Sequence, residues 1–233
     1  MNTYLCRLTL ALALAANFTF AAAAAEKPVP VTIENFVRAE TDLYFGRMVK
    51  EKGFGKLGGA GEVTPIDKQT VVRMNRDTIY SSGVFDLNAG PVTITLPETG
   101  KRFISMQVLN QDHYTLEVTY SAGPHVYSKE NVGTRYLFLL VRMLANPQDA
   151  ADMKTANDLL GSIKIEQAST GKWEAPNWDL EAQTKIRNAL ENLNSVRGET
   201  TGEMFGNKGE IDPVLYLIGA AVGWGGNPRS AAK

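Results

Sequence analysis

The chain has 233 residues, of which 44% are hydrophobic and 21% charged, with a formal net charge of −1, two histidines and one cysteine. A balance so close to neutral lacks the basic footprint of a nucleic-acid partner, and two histidines rule out a His-rich metal site. The cysteine is Cys6, so nothing downstream of it can form a disulfide or act as a thiol nucleophile.

Residues 1–25 carry one early charge, Arg7, then a Leu/Ala/Phe run and a string of alanines. This is the pattern of a secretory signal peptide, with cleavage expected after Ala25 and a periplasmic or secreted product. Its apolar part is short for a membrane span of roughly 20 residues and has no basic stop, so no span is expected after cleavage. Loss of Arg7 takes the net charge from −1 to −2. A mature chain of this size could bury roughly 70% of its unfolded surface, so an apolar core suffices without staples.

In the mature chain, Thr32 reads as a helix N-cap. Ile33, Phe36, Val37, Leu43, Tyr44 and Met48 recur at helical spacing up to about Lys52, and Gly53 is the stop. Glu40 falls beside this stripe. Its simpler reading is a carboxylate reaching out at the helix edge; the alternative is a buried partner for an arginine. GFGKLG (53–58) matches the dinucleotide-binding G-x-G-x-x-G literally, but it follows a helix rather than a strand. It therefore reads as a helix C-cap and a mobile loop.

From Val63 to Leu144 the period becomes strand-like. PVTITLP (91–97) alternates with Val92, Ile94 and Leu96 on one face; 103–108 and 114–120 alternate as well, and 136–141 is apolar on both faces. Turn signals at 88–91, 99–100 and 122–124 separate these runs, as in an antiparallel meander or sandwich. Helical period returns after Leu144: Asn146-Pro147 is a cap with proline at N1, and Met153, Ala156, Leu160 and Ile163 form a stripe. A second helix is expected over 179–196 with Ile186, Leu190 and Leu193 inward, and a third from Asp212-Pro213.

Several motifs match one family in order: NRDTIYSS (75–82), Asp86-Leu87 with Gly90-Pro91-Val92, Leu96-Pro97, MQVLNQDHY (106–114), PNWD (176–179) and WGGNP (224–228). Together they resemble domain-of-unknown-function family 1254, and its short periplasmic branch in particular. The resemblance implies an exported protein with a β-rich domain and helices beside it, and brings no established reaction. In similar proteins the Gly-Gly-Asn-Pro segment leads into strands of the companion family 1214, whereas here Lys233 follows shortly. A sheet edge or face left uncovered, and filled by self-association or by a partner, is the expectation.

The fold expected is α+β: an N-terminal helix, an antiparallel β-sandwich or partial jelly-roll-like barrel, and a C-terminal helical segment. The corresponding units are 1–25 signal, 26–62 helix and Gly-rich loop, 63–144 β domain and 145–233 helical segment.

Two polar clusters could carry function. In RMNRDTIYSSG (73–83), Asn75-Arg76-Asp77-Thr78 reads as an Asx-stabilised turn; alternatively Arg73 or Arg76 receives an oxyanion, with Asn75, Asp77 and Tyr80 around it. In Asp112-His113-Tyr114, His113 titrates nearest neutrality and is the best general-base guess, against the plainer reading of a hydrogen-bonded histidine at a strand end. Ser81 and Ser82 lack the G-x-S-x-G context. Trp173 and Trp178 read as loop anchors, and His125 as exposed. No H-E-x-x-H, P-loop or EF-hand pattern occurs, so neither a metal nor another cofactor is expected. Three functions fit: small-molecule binding in a cleft of the β domain, ester or glycoside hydrolysis using His113, or a non-catalytic envelope module.

Overall fold

The computed structural model describes residues 27–59, 61–68, 75–197 and 201–223. The expected signal peptide, Arg73 and the WGGNP segment lie outside them. Among the described residues no helix is long and apolar enough to cross a membrane.

Helix α1 spans Phe36–Lys52. It begins later than Thr32, because the Thr32 N–H donates to Asn35 Oδ1 at 2.8 Å and the Asn35 N–H to the Thr32 carbonyl at 3.3 Å. That local turn uses the groups a cap would need and moves the N-cap position to Asn35. The helix stops where expected, at Gly53, whose φ of +93° suits glycine and whose N–H donates to Val49 O at 2.9 Å.

Among the described residues seven strands follow: β1 (Thr78–Asp86), β2 (Val92–Leu96), β3 (Ile104–Asn110), β4 (Thr115–Thr119), β5 (Gly123–Tyr127), β6 (Tyr136–Leu144) and β7 (Lys164–Gln167). They are interspersed with helices α2 (Lys129–Val132), α3 (Ala150–Gly161), α4 (Leu180–Ser195) and α5 (Pro213–Val222). The strands form two antiparallel sheets, ordered β1-β6-β3-β4 and β5-β2-β7, which do not close into a barrel.

The two sheets share one apolar core. Leu137, Leu139, Val141 and Met143 of β6 and Ile104, Met106 and Val108 of β3 meet Val92, Ile94 and Leu96 of β2, with Ala156 of α3 closing one side. Each such side chain contributes about 1.5–3 kcal/mol when fully buried. On the opposite face of the four-stranded sheet, Phe45 of α1 packs on Val84, Leu109 and Phe138. Phe36, Val37 and Ala39 of α1 in turn meet Leu190 of α4 and Ile218, Ala220 and Ala221 of α5.

Helix α1 is therefore covered on several sides, which decides the fate of Glu40. Its side chain is fully buried, and its carboxylate accepts from Arg187 Nε and a second guanidinium nitrogen, each at 2.6 Å, and from Gln183 Nε2 at 2.8 Å. The outward-reaching carboxylate is thus corrected to a buried arginine partner. Asp42, two residues on and about 200° round the helix, accepts from Gln111 Nε2 at 2.7 Å and Trp178 Nε1 at 3.0 Å, and burial raises its pKa. Trp178 anchors its loop as expected; Trp173 does so against Tyr136, with ring centroids 4.6 Å apart.

The loop expected to be mobile is instead pinned to the β1 edge. Gly55 N–H donates to Val84 O, and Gly58 and Ser82 exchange backbone bonds, all at 2.9 Å. This approach requires glycine: a Cβ on Gly83 would lie 2.2 Å from Lys56 O, and one on Gly59 would lie 2.0 Å from Tyr80 O. At the far edge of that sheet is β4, beside which Phe103, Val118 and Tyr120 are exposed.

Other differences are local. Helix α3 is capped by Asp149, not Asn146, whose Oδ1 accepts from Gln148 N–H as a separate turn. Leu193 is half-exposed rather than inward. The segment after residue 145 is not wholly helical, since β7 pairs with β2. His125 is not free in solvent: its Nε2 meets Ser121 O at 3.0 Å and its Nδ1 lies 3.5 Å from Glu117.

Candidate functional site

The β1 start behaves as the Asx turn that its residues suggest. Asn75 Oδ1 accepts from the N–H groups of Asp77 at 2.8 Å and Thr78 at 3.1 Å, and Asp77 O accepts from Ala145 at 3.0 Å. Arg76 is half-buried, and among the described residues it makes no ion pair. Asp77 borders a surface depression with Arg102 and Asp152. Arg102 is already held there by the Asp152 carboxylate and by Leu144 O.

The 110–114 turn lies at the other end of the sheet. Register pairs Ile79 with Met143 and Leu137 with Asn110, so six residues of β6 separate the two clusters. At about 3.3 Å per residue that is ~20 Å. The structure thus does not gather Asn75, Arg76 and Asp77 with His113 in one site.

The turn is held by its own polar groups. Asn110 Oδ1 accepts from Asp112 N–H and Tyr114 N–H, both at 3.1 Å, and Asn110 Nδ2 donates to Val132 O at 3.1 Å. Gln111 is the hidden connector: it donates to Asp42 of α1 and its Oε1 accepts from Tyr136 N–H at 3.0 Å. Asp112 pairs with Arg38, and its carbonyl accepts from Tyr216. Tyr114 stacks on Tyr216 at 4.8 Å. Asp112 and Tyr114 therefore fasten α1 and α5 to the sheet, a role that sequence spacing alone does not reveal.

His113 differs from its neighbours. It has φ +62°, a left-handed conformation uncommon for a non-glycine residue, and is 4% exposed. Burial pushes its pKa down to about 4, so the ring is neutral at pH 7. Its ring meets Phe205 edge-on with centroids 5.9 Å apart.

His113 and Phe205 border a cleft of about 390 Å³ on the outer face of the sheet. Strand alternation builds its floor, because Phe138, Leu140 and Arg142 share the face of β6 opposite to the inter-sheet core. Gln107 and Leu109 of β3 continue that floor, and Tyr44 and Met48 of α1 form the wall. The lining is mainly apolar with a few polar groups, which suits a small-molecule site.

Among the described residues that line the cleft, Arg142 alone carries a formal charge. Its guanidinium carbon sits 5.3 Å from the centroid of the Tyr80 ring, the residue it faces across β1 and β6. Among the described residues it forms no ion pair. Tyr80 thus stands behind the cleft as backing for Arg142. The signal for Arg142 was present in YLFLLVRML (136–144), where a lone charge shares a strand face with Phe138 and Leu140.

Comparison with known proteins bears on the fold. Residues 58–137 match the family described as "Protein of unknown function (DUF1254)". That stretch is similar to the DUF1254 family. It supplies β1 to β5, with Tyr80, Gln107, Leu109 and His113, and ends before Phe138 and Arg142. The crystal structure of the VPA0106 protein from Vibrio parahaemolyticus is similar at a TM-score of 0.52, with 12% identity, over 84% of this chain and 67% of that one. The chain thus shares its overall fold with that protein. No curated protein matches the chain significantly.

Proposed function

We propose that the protein is exported and binds a small, largely apolar molecule in the cleft between α1 and the outer face of the four-stranded sheet. The observation that carries this reading is the cleft itself, about 390 Å³, floored by Leu109, Phe138 and Leu140. The volume falls in the range of small-molecule sites. The signal-like N-terminus supports export.

Binding is favoured over hydrolysis. A buried histidine with a pKa of about 4 is a weak proton acceptor at neutral pH. Ser81 belongs to the core face, since it pairs with Val141. Ser82 shares the cleft face but is buried, with its backbone tied to Gly58. His113 then serves as a neutral polar wall.

The test is a fluorescence titration of the mature protein with the uncharged dye Nile red, alongside Leu140→Trp, which fills the floor. Saturable enhancement in the wild type and its loss in the variant are expected. Enhancement of equal affinity in both proteins would place the dye elsewhere and end the reading.

A further inference from the structure

We infer that Arg142 makes this cleft selective for a carboxylate, with the acid group held at the Arg142 end and the apolar body lying toward His113. The inference rests on the cleft reading above and adds the charge and polarity of its ligand.

Arg142 is exposed at the mouth of the cleft, on the strand face it shares with Phe138 and Leu140, where a ligand's acid group can reach it. Half-buried arginines of the fold are held by carboxylates, Arg187 by Glu40, Arg102 by Asp152, and Arg135 by Asp86 and Glu174, whereas Arg142 is exposed and leaves its fork open to an incoming acid. Arg142 has only the Tyr80 ring, a contact that orients a guanidinium plane without neutralising its charge. With the ring covering one face, the N–H edge remains to meet an acceptor. A planar, permanently charged fork of donors matches a carboxylate bidentately.

Position along the strand sets the orientation. Arg142 and Phe138 are four residues apart on one face of β6, about 13 Å at 3.3 Å per residue. The cleft therefore offers a cationic end, an apolar run over Leu140 and Phe138, and a neutral polar end at His113. An elongated monocarboxylate has the complementary pattern. A dianion does not, because His113 carries no charge at pH 7 to receive a second acid group.

The experiment is calorimetric titration of the mature protein with decanoate and with decanamide, its uncharged isostere, repeated on Arg142→Met. A charge-assisted pair at the exposed mouth of the cleft is expected to favour decanoate by about threefold to fivefold in the wild type. In Arg142→Met that preference should vanish, with decanamide binding unchanged and reporting that the variant is folded. Equal affinity for the two ligands in the wild type, or a preference surviving in Arg142→Met, would overturn the inference while leaving the cleft reading intact. Binding of neither ligand would overturn both.

Discussion

Replacing Arg187 by methionine tests the principal internal cross-link of the helices. The substitution keeps an unbranched apolar stem and removes the guanidinium that donates to both Glu40 oxygens at 2.6 Å. Glu40 is fully buried and would keep one donor, Gln183 Nε2 at 2.8 Å. A buried carboxylate stripped of its cation typically costs about 3–5 kcal/mol. In a domain of about 200 residues that lowers the melting temperature by roughly 6–20 °C. Urea unfolding followed by circular dichroism would read it. The neighbouring pair Lys185–Glu181 is the control: both side chains are largely solvent-exposed, so Lys185→Met should hardly move the midpoint. The double variant Glu40→Met/Arg187→Met should be more stable than Arg187→Met alone, because the orphaned charge has gone. A loss below about 1 kcal/mol in Arg187→Met, or a double variant no better than the single, would refute the reasoning.

Two further predictions concern the sheet and the 110–114 turn. Gly83→Ala places a Cβ 2.2 Å from Lys56 O, so the 54–58 segment must leave the β1 edge. A loss of about 1–3 kcal/mol with faster amide exchange at Gly58 and Ser82 is expected, and unchanged exchange would count against the docked loop. For His113, burial lowers the folded pKa from 6.5 to about 4, so the unfolded chain binds the proton more readily between those values. Its contribution is intact above about pH 6.5 and falls by about 3 kcal/mol as pH drops toward 4. His113→Asn tolerates the left-handed backbone and removes the titration, so this acid limb should flatten in melts recorded from pH 7 to 4; a parallel limb would show that His113 is not its source.

Much of this fold can be read from the residues. Val92, Ile94 and Leu96 alternate because β2 is central in its sheet with one face in the core, and Asp212-Pro213 starts α5 because aspartate caps and proline fits the first turn. The strands that escape notice are those whose pairing supplies what their composition lacks. Strand β5 begins Gly123-Pro124, a turn signal, yet it is an edge strand where proline's missing N–H costs little. Strand β7, Lys-Ile-Glu-Gln, carries one apolar residue and forms because β2 presents an edge to it. Glu40 shows the limit of periodicity: a stripe tells which face is apolar, not that two further helices will cover the polar one.

The candidate site was half legible for the same reason. His113 stood out by residue type and does border the cleft, but Asn75, Arg76 and Asp77 lie about 20 Å away along the strands. Strand register decides that separation, and register is a property of pairing rather than of either segment. Arg142 could be found only by extending the alternation of β6 to its last residues, where one charge joins two large apolar side chains on the same face.

The central claim is that the outer-face cleft holds a ligand. Methyl-labelled NMR of the mature protein titrated with decanoate tests it most directly. The account predicts saturable shifts of the Met48, Leu109 and Leu140 methyls with Leu137 and Val126 unmoved. Shifts confined to Val118 and Val126, or the absence of any saturable change at Leu109 and Leu140, would contradict it.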